Sequence, residues 1–248
     1  MAKQKGKTPK SELPDGTVVG NWWVVRFIAR GGQGAVWAVK PTTTKRGPQR
    51  ALKACFSTDP KDRARFEREI ALLLDCDSPY ILSLLDSDAS WQARVDGVPE
   101  FAYYVAEKFA GNIKDKESTL GDTRRRLAVF RDACAAVSYL HSRPESVIHR
   151  DVKPANFLLA TEPERVVLAD FGIARQEVAE SSLTATLEVV GSRFFRAPEI
   201  LNGDPGSVAS DVYSLGRVLE WLLTGEVSTD LATRPIPRCR RPPLSGEI

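Results

Sequence analysis

Three stretches rich in β-branched and aromatic residues come early in the chain: Trp22 to Ala29, Ala35 to Lys40 and Arg50 to Phe56. Gly31-Gly32-Gln33-Gly34 interrupts the first pair and Thr42 to Pro48 the second, which predicts antiparallel strands joined by turns. Asp59-Pro60 then reads as an N-cap followed by proline at the first helical position. Phe66, Ile70, Leu73 and Leu74 recur at helical spacing behind it, predicting an amphipathic helix. Two more strands are expected near Ile81 to Asp86 and Phe101 to Glu107. Beyond them the pattern turns helical. Asp122-Thr123 caps a predicted helix with Leu127, Phe130, Cys134 and Val137 in one stripe. Val166 to Ala169 reads as a short buried strand, and Val212, Leu215, Val218, Leu219 and Leu222 mark an apolar helix from Asp211, stopped by Thr224-Gly225. A β-rich first part and a helical second part place the chain in the α+β class. The expected divisions are a basic flexible tail over 1–12, a β-rich lobe over 13–108, a helical lobe over 109–232, and a Pro/Arg-rich extended segment over 233–248.

Composition narrows the class without naming a function. A chain of 248 residues, 42% hydrophobic and 27% charged, buries a sizeable core in one large domain or two small lobes. Lys plus Arg number 35 against 32 Asp plus Glu, and the excess of +3 is too small for a dedicated nucleic-acid binder. No apolar run approaches the ~18 residues of a membrane span. The basic start, Met1 to Lys7, has no apolar segment behind it and does not read as a secretory signal. Cys55, Cys76, Cys134 and Cys239 are widely spaced without metal-ligand pairing, as expected of reduced thiols in a cytoplasmic protein.

The chemistry lies in a few local groupings. Gly31, Gly32 and Gly34 between two strands either let backbone amides approach phosphate oxygens or simply close a hairpin. Lys53 stands inside a strand, facing an anion if it points inward and solvent if it does not. Glu69 flanks the apolar stripe of the next helix, where it either meets that lysine or adds to an exposed charged face. The strongest grouping is His149-Arg150-Asp151-Val152-Lys153-Pro154-Ala155-Asn156. It puts a carboxylate, an ammonium and an amide in one short loop, able to accept a proton, hold a phosphate and ligate a hard cation through oxygen. Asp170-Phe171-Gly172 adds a second carboxylate after a short strand, and Ala197-Pro198-Glu199 follows.

In order and spacing this series resembles the signature of eukaryotic-type protein kinases, most like the bacterial Ser/Thr kinases, from about Asn21 to Gly225. The resemblance implies a two-lobed kinase-like fold with a β-rich first lobe carrying one main helix and a mainly helical second lobe. It implies an ATP cradle formed by Ile28, Ala29, Arg30, Gly31, Gly32, Gln33 and Gly34. Val36, Ala51 and Leu158 would sandwich the adenine, with Glu107 to Phe109 as the hinge. Lys53 would hold the α- and β-phosphates with Glu69 orienting it. Asp151 would accept the substrate hydroxyl proton, Lys153 would steady the γ-phosphate, and Asn156 and Asp170 would hold Mg²⁺. Leu73, His149 and Phe171 would stack as an apolar column. Lys153 two residues after Asp151 matches the Ser/Thr group, so serine or threonine hydroxyls of proteins are the implied acceptors. Small-molecule kinases usually lack Ala197-Pro198-Glu199. Arg150 would pair with an activation-segment phosphate, with Thr184 and Thr186 preferred over Ser181 and Ser182 as its site.

Some positions depart from the family pattern. Ala29 stands where the first loop glycine is usual, Ser192 replaces a threonine, and Ala106 occupies a gatekeeper position that is normally larger, which predicts acceptance of bulky N6 groups. Family members continue past Gly225 with several more helices, one supplying an arginine partner for Glu199. Here Arg234, Arg238, Arg240 and Arg241 are the candidates for that partner, and the second lobe is expected to lack its last helices, as in a fragment. A catalytically silent scaffold of the same fold is the alternative to an active enzyme.

Overall fold

The computed structural model describes residues 13–31, 34–44, 46–161, 164–171 and 193–227. They form two compact units, one from the described residues of 1–76 and 83–108, the other from those of 77–82 and 109–248.

The first unit is a six-stranded antiparallel sheet with one long helix. The strands are β1 (Val18–Val19), β2 (Trp22–Gly31), β3 (Gly34–Pro41), β4 (Arg50–Cys55), β5 (Leu84–Val95) and β6 (Val98–Glu107), in the order β1-β2-β3-β4-β6-β5. The pleat sorts their side chains by face. Val24, Trp37, Val39, Leu52, Phe101 and Val105 join Leu13, Val19 and Trp22 in one hydrophobic core. The opposite face carries Val36, Lys53 and Tyr104, which are neighbours in register, and beside them Ala38, Ala51 and Ala106. Helix α1 (Pro60–Leu74) follows Asp59, whose side chain accepts the Lys61 N–H. It buries Phe66, Glu69, Ile70 and Leu73. Leu74, expected on that stripe, is instead 63% exposed, at the last position of the helix.

Strand β5 also differs from expectation. Ile81 is outside it, bridging Leu168 in the second unit, and the strand runs on through polar residues to Val95, where Asp96-Gly97 turns into β6 (Gly97 φ 76°). Its largely half-buried, polar stretch lacks the apolar alternation by which a strand is read.

In the second unit, α2 (Thr123–His141) is capped by Asp122, which accepts the Arg125 N–H. Its buried face is Arg126, Val129, Asp132, Ala133, Ala136, Val137 and Leu140. The expected stripe is therefore rotated: Leu127 is 43% exposed and Phe130 and Cys134 are only half-buried. Two buried charges account for the shift. Arg126 donates to the carbonyls of Gly121, Glu117 and Leu222, and Asp132 accepts the Val166 N–H. A hairpin, β7 (Phe157–Thr161) and β8 (Glu164–Leu168), packs on α2. The short turn α3 (Pro198–Leu201) precedes α4 (Val208–Thr224). Ser207 and Ser210 form a reciprocal capping box at the start of α4, three residues before Asp211, and Gly225 ends it in the left-handed region (φ 80°). Leu215, Val218 and Leu222 are buried as expected, whereas Val212 is 56% exposed.

Candidate active site

In the first unit, β2 and β3 pair up to Gly31 and Gly34, so the glycine segment closes a hairpin. Gly32 and Gln33 lie outside the described residues. Gly34 has a second constraint: at φ 143°, a Cβ there would stand 2.4 Å from the Ala54 carbonyl oxygen, so only glycine lets β3 pass so close to β4. Ile28, Ala29, Arg30 and Gly31 line the exposed end of β2, and Val36, opposite Ala29, is half-buried. Ala51, half-buried, lies between Ala38 and Ala106 in register.

Lys53 faces inward and is 9% exposed. Its ammonium donates to both oxygens of Glu69, at 2.9 and 3.2 Å. The Tyr104 hydroxyl donates to the same carboxylate at 3.0 Å, a partner the sequence reading did not anticipate. Tyr104 is found only through register, as the residue opposite Lys53 on β6. Burial of this lysine and glutamate is tolerated because each satisfies the other. The inward reading of both residues therefore holds. Glu107 ends β6 at the edge of this unit.

In the second unit, the loop from His149 to Asn156 hangs from α4. Asp211, fully buried, accepts the backbone N–H groups of His149 (2.7 Å) and Arg150 (2.8 Å) and meets His141 Nε2 at 2.9 Å. Arg150 is held at φ 65°, an unfavourable conformation for a long side chain. His149 Nδ1 accepts the Asp151 N–H at 3.2 Å, and its ring lies against Phe171. Burial pushes the His149 imidazole below its ordinary value, against the opposing pull of Asp211, Asp151 and Asp170.

Asp151, 7% exposed, faces two cations: Lys153 Nζ is 2.8 Å from Oδ2 and Arg196 Nη2 is 3.8 Å from Oδ1. Asn156 turns its amide nitrogen to the Asp151 carbonyl (2.8 Å) and carboxylate (3.3 Å), which leaves its other polar atom, a hard carbonyl oxygen, for a cation. The Ala169 N–H donates to the Asn156 carbonyl at 2.9 Å, which sets Asp170, at φ 55°, next to this amide. Among the described residues no three His, Cys, Asp or Glu side chains form a metal cage. One amide oxygen and one carboxylate suit Mg²⁺, which takes few protein ligands and keeps room for phosphate oxygens and water. Phe109 and Leu158 are half-buried in this unit. Thr184, Thr186, Gly172 and Ser192 lie outside the described residues, as do the C-terminal arginines. Glu199 accepts the Ser210 hydroxyl at 2.6 Å, which holds its carboxyl below the usual range.

A family model described as the protein kinase domain matches residues 22–234. The chain belongs to the protein kinase family. Serine/threonine-protein kinase PknJ of Mycobacterium tuberculosis is 36% identical over 223 residues, covering 87% of this chain and 36% of that protein. Serine/threonine-protein kinase PknB of the same organism is 37% identical over 182 residues, covering 71% and 28%. The chain thus spans about a third of the length of these curated relatives. The crystal structure of the Mycobacterium tuberculosis PknI kinase domain shares the fold, with a TM-score of 0.63 at 24% identity over 91% of this chain and 83% of that one. The kinase fold expected from the motifs, α+β with a β-rich lobe and a helical lobe, is the one observed.

Proposed function

We propose that this chain transfers the γ-phosphate of ATP to serine and threonine hydroxyls of proteins, with Mg²⁺ as cofactor. The observation that carries the reading is the buried loop in which the Asp151 carboxylate touches the Lys153 ammonium at 2.8 Å, with Asn156 bonded to the same aspartate. Phosphoryl transfer asks the protein mainly for position and charge. Asp151 orients the acceptor hydroxyl and takes its proton as the oxygen–phosphorus bond forms and the bond to the β-phosphate oxygen breaks. Lys153 offsets charge on the transferred group. Lys53, held by Glu69, binds the α- and β-phosphates. Asn156 Oδ1 and the Asp170 carboxylate are the atoms that would hold Mg²⁺, which when bound neutralises phosphate charge.

Ile28 to Gly34, Val36, Ala51, Glu107, Phe109 and Leu158 are assigned to ATP. Thr184 and Thr186 are assigned as autophosphorylation sites read by Arg150. Among the described residues no helix is long and apolar enough to cross a membrane, and a cytoplasmic site of action is part of the proposal. Intact-mass spectrometry after incubation with Mg-ATP tests it. The chain should gain phosphate, mapped to Thr184 and Thr186, and Asp151→Asn should gain none. A folded, nucleotide-binding chain that stays unmodified and phosphorylates no protein would instead be the silent scaffold.

A further inference from the structure

Strand β5 pairs with β6 at Asp88↔Tyr103 and again at Ala93↔Phe101. Between these points β5 advances five positions and β6 two, so three extra residues loop out. Asp88 closes this bulge by accepting the backbone N–H (2.8 Å) and hydroxyl (2.5 Å) of Ser90 on one oxygen. Trp91 follows at φ 58°, a conformation that a bulky residue keeps only where its surroundings hold it.

Those surroundings belong to α1. The Trp91 indole N–H donates to Glu67 Oε1, its ring meets Phe66 edge-on with centroids 6.3 Å apart, and the Arg63 guanidinium lies 4.6 Å from the ring centroid. Trp91 is 8% exposed as a result. Positions 63, 66 and 67 share one helical face, so gripping them sets the rotation of α1 about its axis. Phe66 in turn stacks on Tyr104 (5.6 Å, 15°), and Tyr104 donates to Glu69. A continuous line of contacts therefore joins the bulge to the Lys53–Glu69 pair.

We propose that Trp91, projected from the β5 bulge, is a positioning residue that holds α1 at the rotation where Glu69 reaches Lys53. This rests on the reading that the pair serves nucleotide binding. The bulge supplies the reason for a tryptophan in a left-handed position that glycine or asparagine adopts more easily.

The test uses the whole chain and reads the rate at which an amine-reactive reagent labels Lys53, by peptide mass mapping, beside the affinity for a fluorescent ATP analogue and the melting temperature. Trp91→Ala should speed Lys53 labelling on the order of tenfold, towards the rate in Glu69→Gln, and weaken the analogue by a similar factor. Glu67→Gln retains an oxygen for the indole and should behave as wild type. Trp91→Ala added to Glu69→Gln should speed labelling no further. Should Trp91→Ala not fold, Trp91→Phe, which keeps a ring and loses the N–H, should fall between. Lys53 labelling at the wild-type rate in the folded Trp91 variants, whatever their melting temperature, overturns the proposal. If Glu69→Gln leaves analogue affinity untouched, the nucleotide role of the pair fails, while the labelling rates still decide whether Trp91 holds α1.

Discussion

Asp211 is where a single substitution should reveal how the loop from His149 to Asn156 is held. Its carboxylate takes hydrogen bonds at 2.7 and 2.8 Å from two backbone N–H groups, and His141 Nε2 lies 2.9 Å away, all with no exposure of Asp211 to solvent. Bonds to a charged acceptor contribute about 1.5–3 kcal/mol each, and bonds sharing one acceptor do not add fully, so the set is worth about 4 kcal/mol. Asp211→Ala strands the two donors and should cost about that amount, a large share of the roughly 5–15 kcal/mol that keeps a domain folded. Asp211→Asn keeps one acceptor oxygen and turns an NH₂ against a donor, so a loss of about 2 kcal/mol is expected. Urea unfolding followed by tryptophan fluorescence reads both, and phosphoryl transfer by Asp211→Asn should fall because Asp151 sits in the loop it releases. An Asp211→Asn midpoint equal to that of the wild type, with full activity, would refute the reasoning.

Lys53→Met removes the cation paired with a Glu69 that is only 3% exposed, and should destabilise the protein by about 3 kcal/mol, whereas adding Glu69→Gln should restore most of it; denaturant midpoints no better for the double variant would count against a charged pair. Because burial lowers the His149 value, the unfolded chain binds a proton that the folded chain refuses, so stability should hold above about pH 6.5 and fall as the pH drops below it. His149→Phe, which keeps a ring against Phe171, should flatten that loss in melting curves taken from about pH 7 to about pH 5. Ala106, 2% exposed beside Ala51, should admit ATP analogues with bulky N6 groups, and Ala106→Phe should exclude them in competition binding; equal potency in both proteins would show the hinge assignment to be wrong.

The elements that proved readable are those whose local chemistry acts alone. Asp59-Pro60 announced α1, and the β-branched runs announced β2, β3 and β4, because a cap or a pleat needs only neighbours in sequence. The pairing of Lys53 with Glu69 and the grouping of Asp151, Lys153 and Asn156 were legible through the motifs. What could not be read depends on partners distant in the chain. Arg126 and Asp132 look like surface charges until the carbonyl of Leu222 and the N–H of Val166 come to meet them, and so the buried stripe of α2 was misplaced by a fraction of a turn. Asp211 looks like an ordinary first-turn carboxylate, and Tyr104 like one more aromatic in a strand. The length of β5 was hidden for a different reason: a strand with a bulge loses the period of two on which its recognition depends.

The suspension of the His149–Arg150 backbone from Asp211 also has a meaning for biosynthesis. The loop leaves the ribosome first, and its anchor is translated 62 residues after His149. At roughly 5–20 residues per second, Asp151 spends on the order of several seconds without the strut that shapes its loop. A nascent chain released or stalled before α4 can wind would carry every residue of the octapeptide and still lack its geometry, which is completed only when that late helix has formed.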